Sequence, residues 1–141
     1  MAQPDLNHLA GGLREFATAL LRSTRSDSLS RTAASTLAWL SREGAMRVTT
    51  LADRESVTQP AMTGLVQRLE SAGLVNRSTD SRDGRVALID ITPLGIETLE
   101  RRRAAQDAII IDRLAGLSPD ELAALHAALP ALYNVTELHV V

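Results

Sequence analysis

The chain has no cysteine and no lysine. The first absence excludes disulfides, thiolate zinc sites and a cysteine-based redox switch. The second leaves arginine as the only strongly basic side chain, and arginine is the better of the two at forked contacts to phosphates and base edges. Aromatic residues are scarce: Phe16, Trp39 and Tyr133 make up 2% of the 141 residues. A core must therefore come from Leu, Val, Ile and Ala, and small Ala side chains favour closely packed helices over a sandwich. No apolar run approaches the roughly 18 residues that cross a bilayer. The N-terminal stretch MAQPDLNHLAGG lacks a basic segment followed by an apolar one, so it does not read as a signal peptide. The expectation is a soluble, cytoplasmic protein with no membrane role.

A catalytic constellation is also missing. His8, His126 and His139 lie far apart, and none has a partner at metal-ligand spacing. No Ser-His-Asp order, phosphate-binding glycine loop or zinc-protease helix is present. The expectation is no enzyme, no cofactor and no metal. Positive charge is not in excess either: the net charge of -2 weighs against nucleic acid, unless charge is placed locally.

What is present is a series of amphipathic segments in a chain of one-domain size, residues 1–141. Leu6, Leu9, Leu13, Phe16, Ala17, Leu20 and Leu21 have helical spacing, with Asp5 as a cap and Gly11-Gly12 as a weak point. Ser30 caps a second helix that runs to about Arg42, and Gly44 ends it. Met46-Arg47-Val48 reads as a short extended piece, and Thr50 is the expected start of a short third helix. Thr58, with Pro60 in the first turn, opens a fourth helix to about Ala72. Its stripe Met62, Leu65, Val66 and Leu69 follows i, i+3, i+4, i+7. Leu74–Arg77 and Val86–Ile91 read as two strands around the turn 80–85. Thr92-Pro93 begins a long helix ending near Gly116. Ser118-Pro119-Asp120-Glu121 is a capping box for a last helix, which Pro130 is expected to kink or divide.

The middle of this order is a short helix, a tight turn, a second helix and a hairpin. The fold class is thus mainly α with a small β-hairpin wing (α+β): a winged helix-turn-helix with flanking dimerisation helices. A recognition helix buries one face and presents the other to a major groove. In helix 58–72, Gln59, Thr63 and Gln67 lie away from the apolar stripe, and the first three turns carry no acid. At the hairpin tip, Arg82 and Arg85 stand beside Asp80 and Asp83. An arginine on a narrow loop suits a minor groove, and Asp83 is expected to hold Arg85 through a charged hydrogen bond.

These residues resemble the MarR (multiple antibiotic resistance regulator) family of bacterial regulators over about residues 30–125. Leu51-Ala52, VTQPAMTGLVQRLESAGLVNR from 57 to 77 and DSRDGRVALIDITPLG from 80 to 95 carry the resemblance. It implies a winged DNA-binding lobe at 30–95 and a helical dimerisation region at 1–29 and 96–141. It further implies a homodimer on pseudo-palindromic double-stranded DNA, acting as a repressor. Many members release DNA on binding a small aromatic or phenolic ligand between the two regions. Carried over, Thr58, Gln59, Pro60, Ala61, Thr63, Gly64, Gln67 and Arg68 form the recognition-helix set, and Arg82, Asp83 and Arg85 the wing set. Two departures stand out. Gly64 replaces what is often Arg or another polar residue, at a helix cost of about 1 kcal/mol, and Gly84 replaces a common second basic residue.

Several residues keep two readings. Arg68 and Arg54 fit either ion pairs within the lobe or phosphate contacts. Phe16 and Trp39 fit the core first and the lining of a ligand pocket second. Arg101-Arg102-Arg103 points in three directions, which favours local pairs such as Glu97–Arg101 over a basic patch. The alternative function is a winged-helix protein-interaction module without DNA binding.

Overall fold

A computed structural model describes residues 3–24 and 29–136. The element order is α1 (Leu6–Ser23), α2 (Arg31–Glu43), β1 (Met46–Arg47), α3 (Val48–Glu55), α4 (Gln59–Ser71), β2 (Val75–Thr79), β3 (Ala87–Ile91), α5 (Pro93–Leu114) and α6 (Pro119–Thr136). The chain divides into a terminal unit, Met1–Thr24 with Asp107–Val141, and a central unit, Arg25–Gln106. His139 lies outside the described residues.

The central unit holds the apolar core. Leu37 and Leu40 of α2, Leu51 of α3, Met62 and Val66 of α4, Val75 of β2 and Ile89 of β3 are almost wholly buried, and Leu99 of α5 joins them. Each contributes about 1.5–3 kcal/mol relative to exposure. The expected stripe of α4 is buried in full: Met62, Leu65, Val66 and Leu69. β2 and β3 form the expected antiparallel hairpin, in the register Val75↔Ile91 to Thr79↔Ala87. β1 adds to the other edge of β3 through Met46↔Ile89 and Arg47↔Leu88, which makes a three-stranded sheet ordered β1-β3-β2.

Caps set most boundaries. Asp5, Ser30 and Thr58 each accept a first-turn backbone N–H. At α6, Ser118 and Glu121 exchange bonds: the Ser118 amide donates to the Glu121 carboxylate at 2.8 Å, and the Glu121 amide to the Ser118 hydroxyl at 3.3 Å. That is the reciprocal box the sequence predicts. The Glu121 carboxyl sits below its usual range, first because of the Ser118 amide and then because of the Ser118 hydroxyl. One expectation fails, as does one of the two alternatives for Pro130. Thr50 is not the cap of α3, which begins at Val48 with Arg47 in extended conformation before it and no side-chain cap. Sheet pairing of Arg47 with Leu88 holds that residue extended, so the helix starts as soon as the strand ends. Pro130 does not divide α6, which continues to Thr136. The proline removes one donor from the helix ladder without ending it.

The terminal unit has a different character. Neither α1 nor α6 has a buried residue. Leu9, Phe16 and Leu21 of α1 are exposed, as are Leu122, Leu125 and Leu129 of α6. Phe16, at 56% exposed, is therefore not a core residue of the single chain.

Candidate nucleic-acid interface

α3 and α4 are joined by Ser56, Val57 and Thr58. Ser56 takes the left-handed conformation, φ 53°, and ends α3 with its amide on the carbonyl of Asp53. Val57 donates to the carbonyl of Ala52 and packs on the core. The turn is thus pinned from both sides, which fixes the angle at which α4 leaves.

The outer surface of α4 is polar or bare. Gln59, Pro60, Ala61, Gln67 and Arg68 are exposed, while Thr63 and Gly64 are half-buried. Pro60, Gly64 and Gln67, at i, i+4 and i+7, lie opposite the buried stripe. At the N-terminus, the Thr58 hydroxyl accepts from Ala61 at 3.3 Å and Pro60 has no donor. That leaves the Gln59 amide as the first-turn N–H on offer to an anion. The only acid of the helix, Glu70, is tied to Arg77 of β2 at 2.8 Å.

The wing is anchored at its base. The Arg47 guanidinium donates to the Asp80 carboxylate at 3.0 Å, linking β1 to the start of the loop. Asp80 also accepts from the Arg82 amide at 2.9 Å. Its carboxyl is held below the usual range, mainly by that amide and next by Arg47. The loop closes with Asp80 donating to the carbonyl of Val86 and Val86 to that of Asp83. The Asp83 carboxylate accepts from the Arg85 backbone amide at 3.1 Å, but stands 3.9 Å from the Arg85 side chain. Asp83 therefore orders the loop backbone and forms only a loose ion pair, not the expected charged hydrogen bond. The Arg85 side chain is 95% exposed.

The other candidates separate clearly. Arg54 of α3 makes a bidentate pair with Glu43 of α2 at 2.7 and 2.8 Å, and lies 4.5 Å from the centroid of Trp39. Arg42 approaches the same ring at 5.5 Å. The hydrogen bond to Arg54 keeps the Glu43 carboxyl below its ordinary value. Arg54 is thus structural, a strap across α2 and α3 that covers Trp39, and Ser35–Glu55 is a second strap. Trp39 packs against the core in the central unit, whereas Phe16 belongs to the terminal one. Arg68 has no side-chain ion pair among the described residues. Arg101 pairs with Glu97, as its spacing predicts, while Arg102 turns to the carbonyl of Leu29 at 2.6 Å. Among the described residues no group of His, Asp and Glu is placed to hold a metal ion, and no helix is long and apolar enough to cross a membrane. The sequence reading missed the Arg47–Asp80 and Glu70–Arg77 anchors. The signal open to it was one of sign alone, opposite charges flanking the strands.

Residues 29–87 match the model of the MarR family. An HTH-type transcriptional regulator of Mycobacterium bovis is 36% identical over 94 residues, which is 67% of this chain and 66% of that protein. The HTH-type transcriptional repressor MdtR of Bacillus subtilis is 31% identical over 86 residues, 61% of this chain and 56% of its own length. The chain's match thus spans just under two thirds of the mycobacterial relative. Among solved structures, Bordetella bronchiseptica BpsR, whose DNA binding is regulated by 6-hydroxynicotinic acid, superposes with a TM-score of 0.59 at 25% identity, covering 91% of this chain and 92% of that one.

Proposed function

We propose that this chain, whose residues 29–87 match the model of the MarR family, is a member of that family and a homodimeric regulator that reads a pseudo-palindromic site in double-stranded DNA. The observation that carries this reading is one surface. An α4 face without a free acid stands in the same unit as a wing whose Arg85 is 95% exposed. α4 enters a major groove, with Gln59, Thr63 and Gln67 at base edges and the Gln59 amide near phosphate. Thr58, Pro60 and Ala61 set the approach of its first turn. The wing carries Arg82 and Arg85 to the adjoining minor groove, with Asp83 ordering the loop.

The terminal unit supports a second copy. Helices that bury nothing gain little stability alone, and α1 and α6 display Leu9, Phe16, Leu21, Leu122, Leu125 and Leu129. Pairing with the same surface of another chain covers them and sets two recognition helices in a two-fold arrangement. Repression follows the named activity of the relative MdtR. Release by a small aromatic acid or phenol follows BpsR. Such a ligand frees DNA only by binding the released state more tightly than the bound one. The site of action is the cytoplasm, and the chain has no catalytic role.

Selection of genomic fragments by the purified protein, followed by affinity measurement against salt, tests the reading. An inverted repeat with half-sites about one helical turn apart, and steep loss of affinity with salt, is the expected result. Weak recovery of unrelated fragments overturns it and makes a protein-interaction module the better account.

A further inference from the structure

The outward face of α4 has a gap at its centre. Position 64 lies one turn in from the N-terminus, opposite the buried stripe, and carries no side chain. A Cβ placed on Gly64 would stand 3.6 Å from a terminal guanidinium nitrogen of Arg68. Long helical side chains lean back over the turn that precedes them, and Arg68 does this, so its guanidinium lies above Gly64. Arg47, Arg54 and Arg77 are each held by a carboxylate. Arg68 is exposed and its side chain has no such partner among the described residues.

We propose that Arg68 is a specificity-determining residue: from the space above Gly64 its guanidinium reads a guanine at the floor of the major groove. The proposal rests on the DNA-binding reading above. Two arguments select a base over a phosphate. Phosphates line the walls of a groove, within reach of the flanks and ends of a helix, whereas the centre of its outward face meets base edges. The guanidinium also offers two parallel donors that match guanine O6 and N7. Glycine at 64 has a role in this geometry. It lets the helix backbone approach closely and leaves the central position to a side chain rooted one turn later.

The test uses the full-length protein and its selected site, with each base pair of a half-site substituted in turn. Arg68→Ala is expected to abolish preference at one G·C pair per half-site, a loss of about 5- to 150-fold there. Arg68→Lys, a point charge that cannot fork, is expected to fall between. Gly64→Leu displaces the guanidinium and is expected to relax the same base pair, whereas Gly64→Ala, in ordinary contact with it, is expected to leave that preference in place. In the Arg68→Ala background Gly64→Leu is expected to change the preference at that base pair no further, whatever it does to affinity on all sequences alike, the mark of a shared mechanism. Far-UV circular dichroism of each variant verifies that α4 is intact. An equal loss of affinity on every sequence with Arg68→Ala makes Arg68 a phosphate anchor and overturns the proposal. So does a full effect of Gly64→Leu on the preference at that base pair without Arg68. Absence of salt-dependent DNA binding by the unsubstituted protein defeats the DNA-binding reading itself, a separate outcome.

Discussion

Gly95→Ala and Gly64→Ala make the same chemical change and are expected to have opposite effects. Both glycines sit in helices, where alanine is favoured by up to about 1 kcal/mol. At Gly64 the added methyl meets only the Arg68 guanidinium at 3.6 Å, an ordinary contact with the end of a flexible chain. The propensity gain is expected to survive almost whole. Gly95 is buried in the first turn of α5. There a Cβ would stand 2.2 Å from the Leu74 carbonyl oxygen and 2.7 Å from the Ile91 side chain. The carbonyl has no freedom to withdraw, because it accepts from the Thr92 amide at 3.0 Å. The Thr92 hydroxyl in turn donates to the carbonyl of Gly73 at 2.6 Å and accepts from the Gly95 amide at 3.0 Å. Separation by about an ångström strains this set at roughly 1 kcal/mol per bond and adds an overpacking cost of about 1–3 kcal/mol. Less the propensity gain, Gly95→Ala is expected to destabilise by about 3–5 kcal/mol. Urea unfolding followed by circular dichroism, at fixed protein concentration because self-association shifts the midpoint, measures both variants. A Gly95→Ala midpoint at or above that of the parent protein refutes the close-approach argument.

Three further outcomes follow from single residues. The Thr36 hydroxyl is buried in α2 without a hydrogen-bond partner, so Thr36→Val, nearly the same shape, is expected to stabilise by about 1 kcal/mol in the same unfolding assay; a loss would show that the hydroxyl is bonded after all. Because the folded Asp80 carboxyl lies below its ordinary 3.8, its contribution to stability is whole above that pH and is lost as pH falls through the lower, folded value. NMR titration of the Asp80 carboxyl is expected to show a midpoint under 3.8, and a midpoint at or above it removes the wing anchor. Trp39 is the only tryptophan, so Arg54→Ala, which uncovers its ring, is expected to shift its emission to the red; unchanged emission would mean that the stacking is absent in solution.

Local pattern and long-range partnership were not equally legible. The α4 stripe, its Thr58 cap and the Ser118–Glu121 box depend on residues three to seven apart, and these could be read directly. The start of α3 could not, because Arg47 is held extended by Leu88, far along the chain. The Thr-Pro-x-Gly motif was visible at 92–95, but its reason, a carbonyl of another element against Gly95, is tertiary. Phe16 shows a related limit. Apolar spacing marks a face for burial without saying whether the same chain or another covers it, and in the single chain Phe16 stays exposed. At the interface, the polar face of α4 and the arginines of the wing were legible as types. Which arginines are free depends on carboxylates brought near by folding.

That last point resolves the conflict between a net charge of -2 and a nucleic-acid ligand. Net charge sums all residues equally, whereas a groove senses charge within roughly a Debye length of ~8 Å at physiological salt. Glu70 is paired with Arg77 and Asp80 with Arg47. These pairs remove the acids next to the surface proposed to face DNA from that local sum. Each is worth little to stability, since exposed ion pairs contribute about 0–1 kcal/mol. Their effect is on the field: they leave Arg68, Arg82 and Arg85 as the cations facing outward, the last offset only by an Asp83 that stands 3.9 Å away. The measurable consequence is a salt slope set by the few phosphates these side chains and the helix end engage, not by the charge of the whole chain. Glu70→Gln, which frees Arg77 and deletes an acid on α4, is expected to tighten binding on every sequence alike and to steepen that slope by about one. A slope unchanged by Glu70→Gln would mean that α4 lies outside the field of the bound DNA, and the orientation proposed for the recognition helix would be wrong.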